Sequence, residues 1–160
     1  MFNIYTDGGC SGNPGPGGWA YVIMRNEEGG TGNERQNSEI IAEEWGAEPD
    51  TTNNRMELLA VISALRALKG KPDLKRQLAV YTDSQYVQKG ITEWIQVWKR
   101  NSWRTSGKKP VKNQDLWLEL DALAAELPIA WNWLKGHAGN PYNERCDELT
   151  QKAIASLQRV

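Results

Sequence analysis

The sequence predicts an α/β domain in which one mixed β-sheet carries helices on both faces. The 160-residue chain opens with two apolar stretches separated by a segment rich in glycine and proline, a pattern that predicts an antiparallel hairpin. Later strand-like stretches alternate with helical ones, and strands joined through helices tend to run parallel. An antiparallel hairpin followed by parallel strands makes a mixed sheet, and its connecting helices cover both faces.

The first half of the chain predicts two strands and a less regular third. Residues 2–7 read as a strand, and residues 10–18 have the composition of a turn. Residues 19–25 have apolar side chains on both faces, so we expect this strand to be covered on both sides. Residues 26–50 are polar and acidic, and the stretch SEIIAEEWG within them is a candidate third strand with poor alternation.

The helices follow from apolar periodicity and from their end signals. Residues 51–70 form the clearest helix, in which Asn54 and Glu57 have the spacing of a capping box and Gly70 marks the end. The remaining predicted elements are a strand at 77–83, a helix at 84–100 broken near Gly90, a helix at 113–127 capped by Asn113, a strand at 129–134, and a last helix at 142–157.

Composition limits the chemistry that is available. The only cysteines are Cys10 and Cys146, which do not make a disulfide framework and suggest a reducing, cytoplasmic compartment. Cysteine and histidine are too few for a zinc site, so any metal would be a hard cation bound by oxygen. No signal peptide and no apolar run long enough to span a membrane are visible. We expect a monomer of one domain, residues 1–160.

Charge is distributed unevenly although the net charge is only −1. Residues 27–50 carry eight acidic side chains and one basic one, whereas residues 88–112 carry seven basic side chains and one acidic one. The basic stretch also contains three tryptophans, and basic groups mixed with aromatic rings suit a nucleic-acid surface. A solvated helical face with tryptophans in the core explains the same composition equally well.

Two predicted strands each end in the tripeptide Tyr-Thr-Asp, at Asp7 and at Asp83. If the intervening helix makes a crossover, both aspartates lie at the carboxyl ends of neighbouring strands, where open α/β sheets bind ligands. Strands lie about 4.8 Å apart, and two carboxylates at that separation repel by roughly 4 kcal/mol at an effective dielectric near 20. A proton on one carboxylate or a cation between them offsets that repulsion, and the cation would be Mg²⁺ or Mn²⁺.

Three further residues are candidates, each with an ordinary structural explanation beside the functional one. Glu57 belongs to the capping box just described. Asp147 lies early in the last helix, where the helix dipole favours an acid. His137 lies between glycines in a loop, where it is either an ordinary loop residue or a group that transfers protons near neutral pH.

Four motifs together resemble type 1 ribonuclease H, the bacterial enzyme that cuts the RNA strand of RNA–DNA hybrids. They are YTDGGCSGNPGPGGWA, TTNNRMELLA, YTDSQYV and WLKGHAGNPYNERCDEL, in family order along nearly the whole chain. The resemblance implies a five-stranded mixed sheet in the order 3-2-1-4-5. It implies that Asp7, Glu57, Asp83 and Asp147 form the metal-binding carboxylate set, with His137 assisting proton transfer or product departure.

The resemblance also implies the mechanism and the substrate contacts. Two Mg²⁺ ions, with Mn²⁺ as a possible substitute, would activate the attacking water and stabilise the leaving 3′ oxygen, giving 5′-phosphate and 3′-hydroxyl ends. The positions that match RNA-strand contacts of the family are Cys10, Asn13, Asn53, Asn54 and Gln85. Those that match DNA-strand contacts are Thr52, Tyr86, Trp94, Ser106 and Asn113. Residues 88–112 correspond to the basic protrusion, with a patch of Lys99, Arg100, Arg104, Lys108, Lys109 and Lys112.

The chain departs from the family pattern in two places, and other functions remain open. Residues 26–50 are longer and more acidic than usual, and Asp50 stands where relatives often carry a basic residue, which predicts a weaker phosphate pocket. The alternatives are another nuclease of the same fold, such as a junction resolvase or DNA exonuclease, a non-catalytic module that binds hybrids, and a carboxylate cluster around a structural metal.

Overall fold

The computed structural model of the protein describes residues 1–26, 38–71, 77–136 and 139–157. The strands are β1 (Phe2–Cys10), β2 (Gly15–Asn26), β3 (Ser38–Thr51), β4 (Leu78–Thr82) and β5 (Ile129–Trp133). The helices are α1 (Asn53–Lys69), α2 (Gln85–Lys89), α3 (Ile95–Arg100), α4 (Gln114–Glu126) and α5 (Pro141–Ser156), and a π-helical turn, Gly90–Trp94, joins α2 to α3.

The five strands form one mixed sheet in the order β3-β2-β1-β4-β5, which confirms the predicted order. The pairs β1–β2 and β2–β3 are antiparallel, whereas β1–β4 and β4–β5 are parallel. The candidate third strand is real and longer than its alternation suggested, because it pairs with β2 along nearly its full length. The rest of the acidic segment, residues 27–37, lies outside the described residues.

The predicted turn at residues 10–18 is wrong at both ends. Pairing between the first two strands continues to Cys10 and Gly17, so the connection is confined to residues 11–14. A side chain at Gly17 would meet Thr51 of β3, and one at Gly18 would meet Ala153 of α5. The glycines that suggested a turn instead allow close packing against the sheet's neighbours.

Alternate residues of the central strands build two separate cores. Ile4 and Ile23 face the larger core, which α1 and α4 cover, whereas Val22 and Met24 face a smaller core that includes Cys146 of α5. The prediction that β2 is buried on both faces is therefore confirmed. No helix among the described residues is long and apolar enough to cross a lipid bilayer.

Two details of the helix ends correct the sequence analysis. The N-cap of α1 is Thr52, whose hydroxyl accepts a hydrogen bond from the Arg55 amide, so Asn54 and Glu57 do not form the predicted capping box. Asn113 does occupy the N-cap position of α4, but it adopts a left-handed conformation with φ of 58°, and its side chain makes no capping bond. Both polar side chains, Glu57 and Asn113, are thereby free for other contacts.

Candidate active site

The parallel pairing of β1 with β4 sets two aspartates at one edge of the sheet. Paired residues run from Phe2 and Leu78 to Tyr5 and Tyr81. Continuing this register by two residues brings Asp7 level with Asp83, which follows the last residue of β4. The Trp133 indole donates a hydrogen bond of 3.3 Å to the main-chain oxygen of Asp83, and Gly136 leaves room for the Asp83 carboxylate, since a Cβ built there would lie 3.0 Å from it.

Glu57 reaches the same edge from α1 because β1 and α1 approach closely. A Cβ built on Gly8 would lie 2.4 Å from the carbonyl carbon of Met56 and 2.5 Å from the amide nitrogen of Glu57, so only glycine fits there. The Ser84 hydroxyl donates a short hydrogen bond to Glu57 and accepts one of 3.1 Å from the Val87 amide. Ser84 thus caps α2 and fixes the orientation of Glu57 with one hydroxyl group.

Asp147 comes to the edge on α5, which packs against β1 and β2. The helix is capped by Asn140, whose side-chain oxygen accepts hydrogen bonds from the next two amides after Pro141, each of 3.0 Å. The acid of the first turn is Glu144, and Asp147 lies in the second turn, beside the fully buried Cys146. Its position therefore owes little to the helix dipole.

The electrostatics of Asp7 and Glu57 show that these acids are neighbours. Burial raises the pKa of Asp7 to about 7, and the negative charges of Asp83, Asp147 and Glu57 add to this effect, against a hydrogen bond from Thr150. Burial likewise raises the pKa of Glu57 to about 7, with a contribution from Asp83, although the hydrogen bond from Ser84 opposes it. The fold thus gathers several acidic side chains at one edge of the sheet, where burial and mutual repulsion disfavour their charged forms.

The chemistry of the donors suits a hard divalent cation. Carboxylate oxygens are the ligands that Mg²⁺ and Mn²⁺ prefer. The neighbouring Cys146 is no competing ligand, because burial raises its pKa and keeps the thiol protonated. In the described parts of the chain, no three acidic, histidine or cysteine side chains converge closely enough to hold a metal as they stand. The carboxylates repel one another across the site without forming a ready-made coordination sphere.

The predicted proton-transfer residue, His137, lies outside the described residues.

The candidate RNA-strand residues fall into two sets. The Cys10 amide donates 2.8 Å to the Asn53 side chain, and the Asn53 amide donates 3.2 Å to the Asn13 side chain, so the structure brings these three together. Asn54 and Gln85 are exposed at the first turns of α1 and α2.

All the candidate DNA-strand residues except Ser106 are connected around Tyr86. Its ring meets Trp94 at a centroid distance of 5.6 Å, and its hydroxyl oxygen accepts a hydrogen bond of 3.1 Å from Asn113. Thr52 joins the same area indirectly, because Arg55 bonds both Thr52 and Asn113. Ser106 is separate and lies on the basic protrusion.

The basic protrusion carries a surface concavity of about 710 Å³. Three of the predicted patch residues line it together with hydroxyl and amide side chains; its lining is Arg100, Asn101, Ser102, Arg104, Thr105, Ser106 and Lys108. Lys109 and Lys112 are exposed outside it. Lys99 differs from the rest, because it pairs with Asp121 of α4 at 2.8 Å and its charge is already balanced.

Sequence reasoning missed several residues that surround the candidate ligands and the predicted DNA path. Ser84 sits directly after Asp83 in the quoted motif, and its position at a helix start was a usable signal. Trp133 and Gly136 could not be assigned without knowing that β5 lies beside β4. Arg55 was inside a quoted motif, but its partner lies 60 residues away, on α4.

Comparison with known proteins places the chain in a family. The family model described as RNase H matches residues 1–155. A ribonuclease H of Treponema denticola is 52% identical over 164 residues, covering 96% of this chain and 97% of that protein. The crystal structure of LC9-RNase H1, a type 1 RNase H with the type 2 active-site motif, is 34% identical with a TM-score of 0.80, covering 97% of this chain and 72% of that one.

A third protein, LC11-RNase H1 in complex with an RNA/DNA hybrid, has a TM-score of 0.70, covers 99% of this chain and 100% of that one, and at 24% identity shows the fold alone. The family match over residues 1–155 and the identity to the Treponema protein agree with the sheet order and with the four motifs. The chain therefore belongs to the RNase H family, whose members are divalent-metal-dependent hydrolases of the RNA in RNA–DNA hybrids.

Proposed function

We propose that this RNase H cleaves the RNA strand of RNA–DNA hybrids with two Mg²⁺ ions held by Asp7, Glu57, Asp83 and Asp147. The observation that carries the proposal is the placement of Asp7, where burial and the negative charges of Asp83, Asp147 and Glu57 raise its pKa to about 7. Bound divalent cations would supply an activated water and charge neutralisation at the leaving 3′ oxygen, and the products would be 5′-phosphate and 3′-hydroxyl ends.

The chain's own residues orient and tune the carboxylates. Ser84 keeps one oxygen of Glu57 in a fixed direction, Trp133 anchors the main chain of Asp83, and Gly136 leaves space for its carboxylate. Asp7 and Glu57 must lose protons with a pKa near 7 before they can bind a cation, so occupancy should rise with pH. His137 would assist proton transfer or product departure, and Mn²⁺ would substitute for Mg²⁺.

The two strands of the hybrid would lie on different sides of α1. Cys10, Asn13 and Asn53, with Asn54 and Gln85 nearby, would read the 2′-hydroxyls of the RNA strand. The DNA strand would contact Thr52, Tyr86, Trp94, Ser106 and Asn113, and the basic patch of Lys99, Arg100, Arg104, Lys108, Lys109 and Lys112 would attract its phosphates. We further propose that the chain works as a single-domain monomer in the cytoplasm.

A substrate panel tests this function. Hybrid, duplex DNA, duplex RNA and single-stranded RNA of one sequence are each incubated with the protein in Mg²⁺ and in chelator. We expect cleavage of the hybrid's RNA strand in Mg²⁺ only, with 5′-phosphate ends. Preferential cleavage of duplex DNA would contradict the proposal and favour a resolvase or exonuclease activity. Loss of the fold in chelator would favour a structural metal instead.

A further inference from the structure

A chain of hydrogen bonds crosses from α1 to the tyrosine beside the predicted DNA path. The Arg55 guanidinium binds both carboxylate oxygens of Asp115, at 3.1 and 2.9 Å, and donates 3.2 Å to the side-chain oxygen of Asn113. The Asn113 amide nitrogen then donates 3.1 Å to the Tyr86 hydroxyl oxygen. The Trp117 indole nitrogen donates 3.0 Å to that same oxygen.

The donor and acceptor of every hydrogen bond in this series are fixed by the chemistry of the side chains. Arginine can only donate, so the oxygen of the Asn113 side chain must face Arg55 and its nitrogen must face Tyr86. The indole of Trp117 also can only donate. The Tyr86 oxygen therefore accepts two hydrogen bonds, and its own proton is left for an acceptor elsewhere.

The surroundings direct that proton outward. Trp117 is fully buried and lies behind Tyr86, with ring centroids 5.3 Å apart, whereas Tyr86 itself is only half-buried. The half-buried ring of Trp94 lies on another side, at 5.6 Å. Within the described ranges, no side chain or carbonyl accepts a hydrogen bond from Tyr86. An acceptor from a bound ligand completes the group.

We propose that Arg55 and Asp115 form a positioning pair that acts through Asn113 to present the Tyr86 hydroxyl as a donor to a phosphate oxygen of the DNA strand. This inference rests on the proposed function for its ligand. Phosphate oxygens accept without donating, and phosphate and sugar take half or more of the hydrogen bonds between proteins and DNA. Asp115 thus improves hybrid binding despite its negative charge.

The sign of the charge effect separates this role from simple electrostatics. Asp115→Asn removes an acid near the nucleic-acid surface, which by charge alone should tighten binding. The positioning role predicts weaker binding, because the substitution breaks the bidentate ion pair between Asp115 and Arg55 that orients Arg55 and Asn113. Glu119→Gln is the matched control: Glu119 pairs with Arg66 across the same two helices, and no contact links it to Asn113.

The test measures binding of a short fluorescent RNA–DNA hybrid in chelator, together with KM and kcat in Mg²⁺. We expect Asp115→Asn to weaken binding about threefold to tenfold and raise KM with kcat unchanged, as expected for one lost hydrogen bond. Glu119→Gln should bind as tightly as the wild type or more tightly. If Asp115→Asn binds as tightly as Glu119→Gln, the positioning role is wrong.

A second variant locates the acceptor. Tyr86→Phe should weaken binding about tenfold, the scale of a hydrogen bond to a charged group. Single methylphosphonates are placed along the DNA strand and, in a second series, along the RNA strand. At one position of the DNA strand the substitution should weaken binding by the wild type but cause no further loss in Tyr86→Phe. If that position lies on the RNA strand, or if no position behaves in this way, the assignment is wrong. If Tyr86→Phe fails to fold because Trp117 loses its acceptor, the Asp115 and Glu119 pair decides. A wild type that binds no hybrid refutes the proposed function itself.

Discussion

Arg55 and Glu57 lie two residues apart on α1, but their charged side chains have very different surroundings. The Arg55 guanidinium is paired with Asp115, which raises the pKa of Arg55 and holds that of Asp115 below its usual range. Glu57 accepts a hydrogen bond from the Ser84 hydroxyl and lies near Asp83, and burial raises its pKa to about 7. Near the start of α1, one side of the helix thus carries a paired charge, whereas another carries a buried acid whose charged form a bound cation would stabilise.

The largest expected effect follows from removing one of the uncompensated charges. Asp7→Asn should lower the rate of hybrid cleavage by about a thousandfold or more, because a neutral amide is a poor ligand for a hard cation. Hybrid affinity in chelator should stay within about twofold or improve, since a negative charge has been removed. Initial rates and fluorescence anisotropy measure the two quantities.

Glu144→Gln is the control for that substitution, since Glu144 is an exposed acid in the first turn of the same helix that carries Asp147. It should leave the cleavage rate unchanged. An Asp7→Asn protein that cuts at nearly the wild-type rate would show that Asp7 is not a ligand.

The next effect concerns the contact that brings Glu57 to Asp7. Gly8→Ala places a methyl group 2.4 Å from the Met56 backbone, so β1 and α1 must separate. We expect a loss of about 2–4 kcal/mol in the free energy of unfolding. Gly70→Ala is the matched control, because nothing lies within 4 Å of a Cβ there and its φ is −93°. Denaturant unfolding compares the two, and equal stability of the variants would refute the close contact.

A smaller effect is the electrostatic cost of the unbalanced acids. The folded pKa of Asp7 is above the ordinary value, so the folded state binds more protons than the unfolded state between about pH 4 and 7, and stability falls as pH rises. In chelator, Asp7→Asn should therefore raise the free energy of unfolding by about 1–3 kcal/mol near pH 8. The gain should shrink towards acidic pH as wild-type Asp7 becomes protonated. A stability gain that becomes larger below pH 5 would contradict this prediction.

The smallest effects distinguish balanced from unbalanced lysines on the protrusion. Lys108→Ala should weaken hybrid binding and lower the slope of log affinity against log salt by about one unit, as for one lost phosphate contact. Lys99→Ala should change that slope less, because Lys99 already pairs with Asp121. Binding isotherms over a range of salt concentrations measure both slopes. If the two variants have equal slopes, the ion pair with Asp121 does not reduce the contribution of Lys99 to binding.

Periodicity was enough to predict a mixed sheet with helices, and the family resemblance of the motifs predicted its strand order, which the structure confirms; the roles of the four acids remain a prediction. Neither periodicity nor the resemblance was enough for contacts set by packing. The capping spacing of Asn54 and Glu57 was misleading because Thr52 caps the helix and Glu57 bonds Ser84 across the site. Likewise, glycines near residue 17 resembled a turn because sequence alone cannot show how closely α5 and β3 approach.

The role of Arg55 was unpredictable for a related reason. Its partner Asp115 lies on another helix, and neither residue shows a local pattern that would pair them. The basic patch was predicted as a set, but its members differ in the structure, since within the described ranges only Lys99 among them forms an ion pair with an acidic side chain. Composition measures how much charge is present, whereas the fold decides which charges remain available.

The central claim, that buried acids at the sheet edge hold divalent cations, is tested most directly by calorimetric titration of Mg²⁺ into the protein without nucleic acid. Near pH 7 we expect saturable binding that releases protons, measured in two buffers of different ionisation enthalpy, because Asp7 and Glu57 have pKa values of about 7. Asp7→Asn should bind more weakly and release fewer protons. Binding that releases no protons and is unchanged in Asp7→Asn would contradict the account.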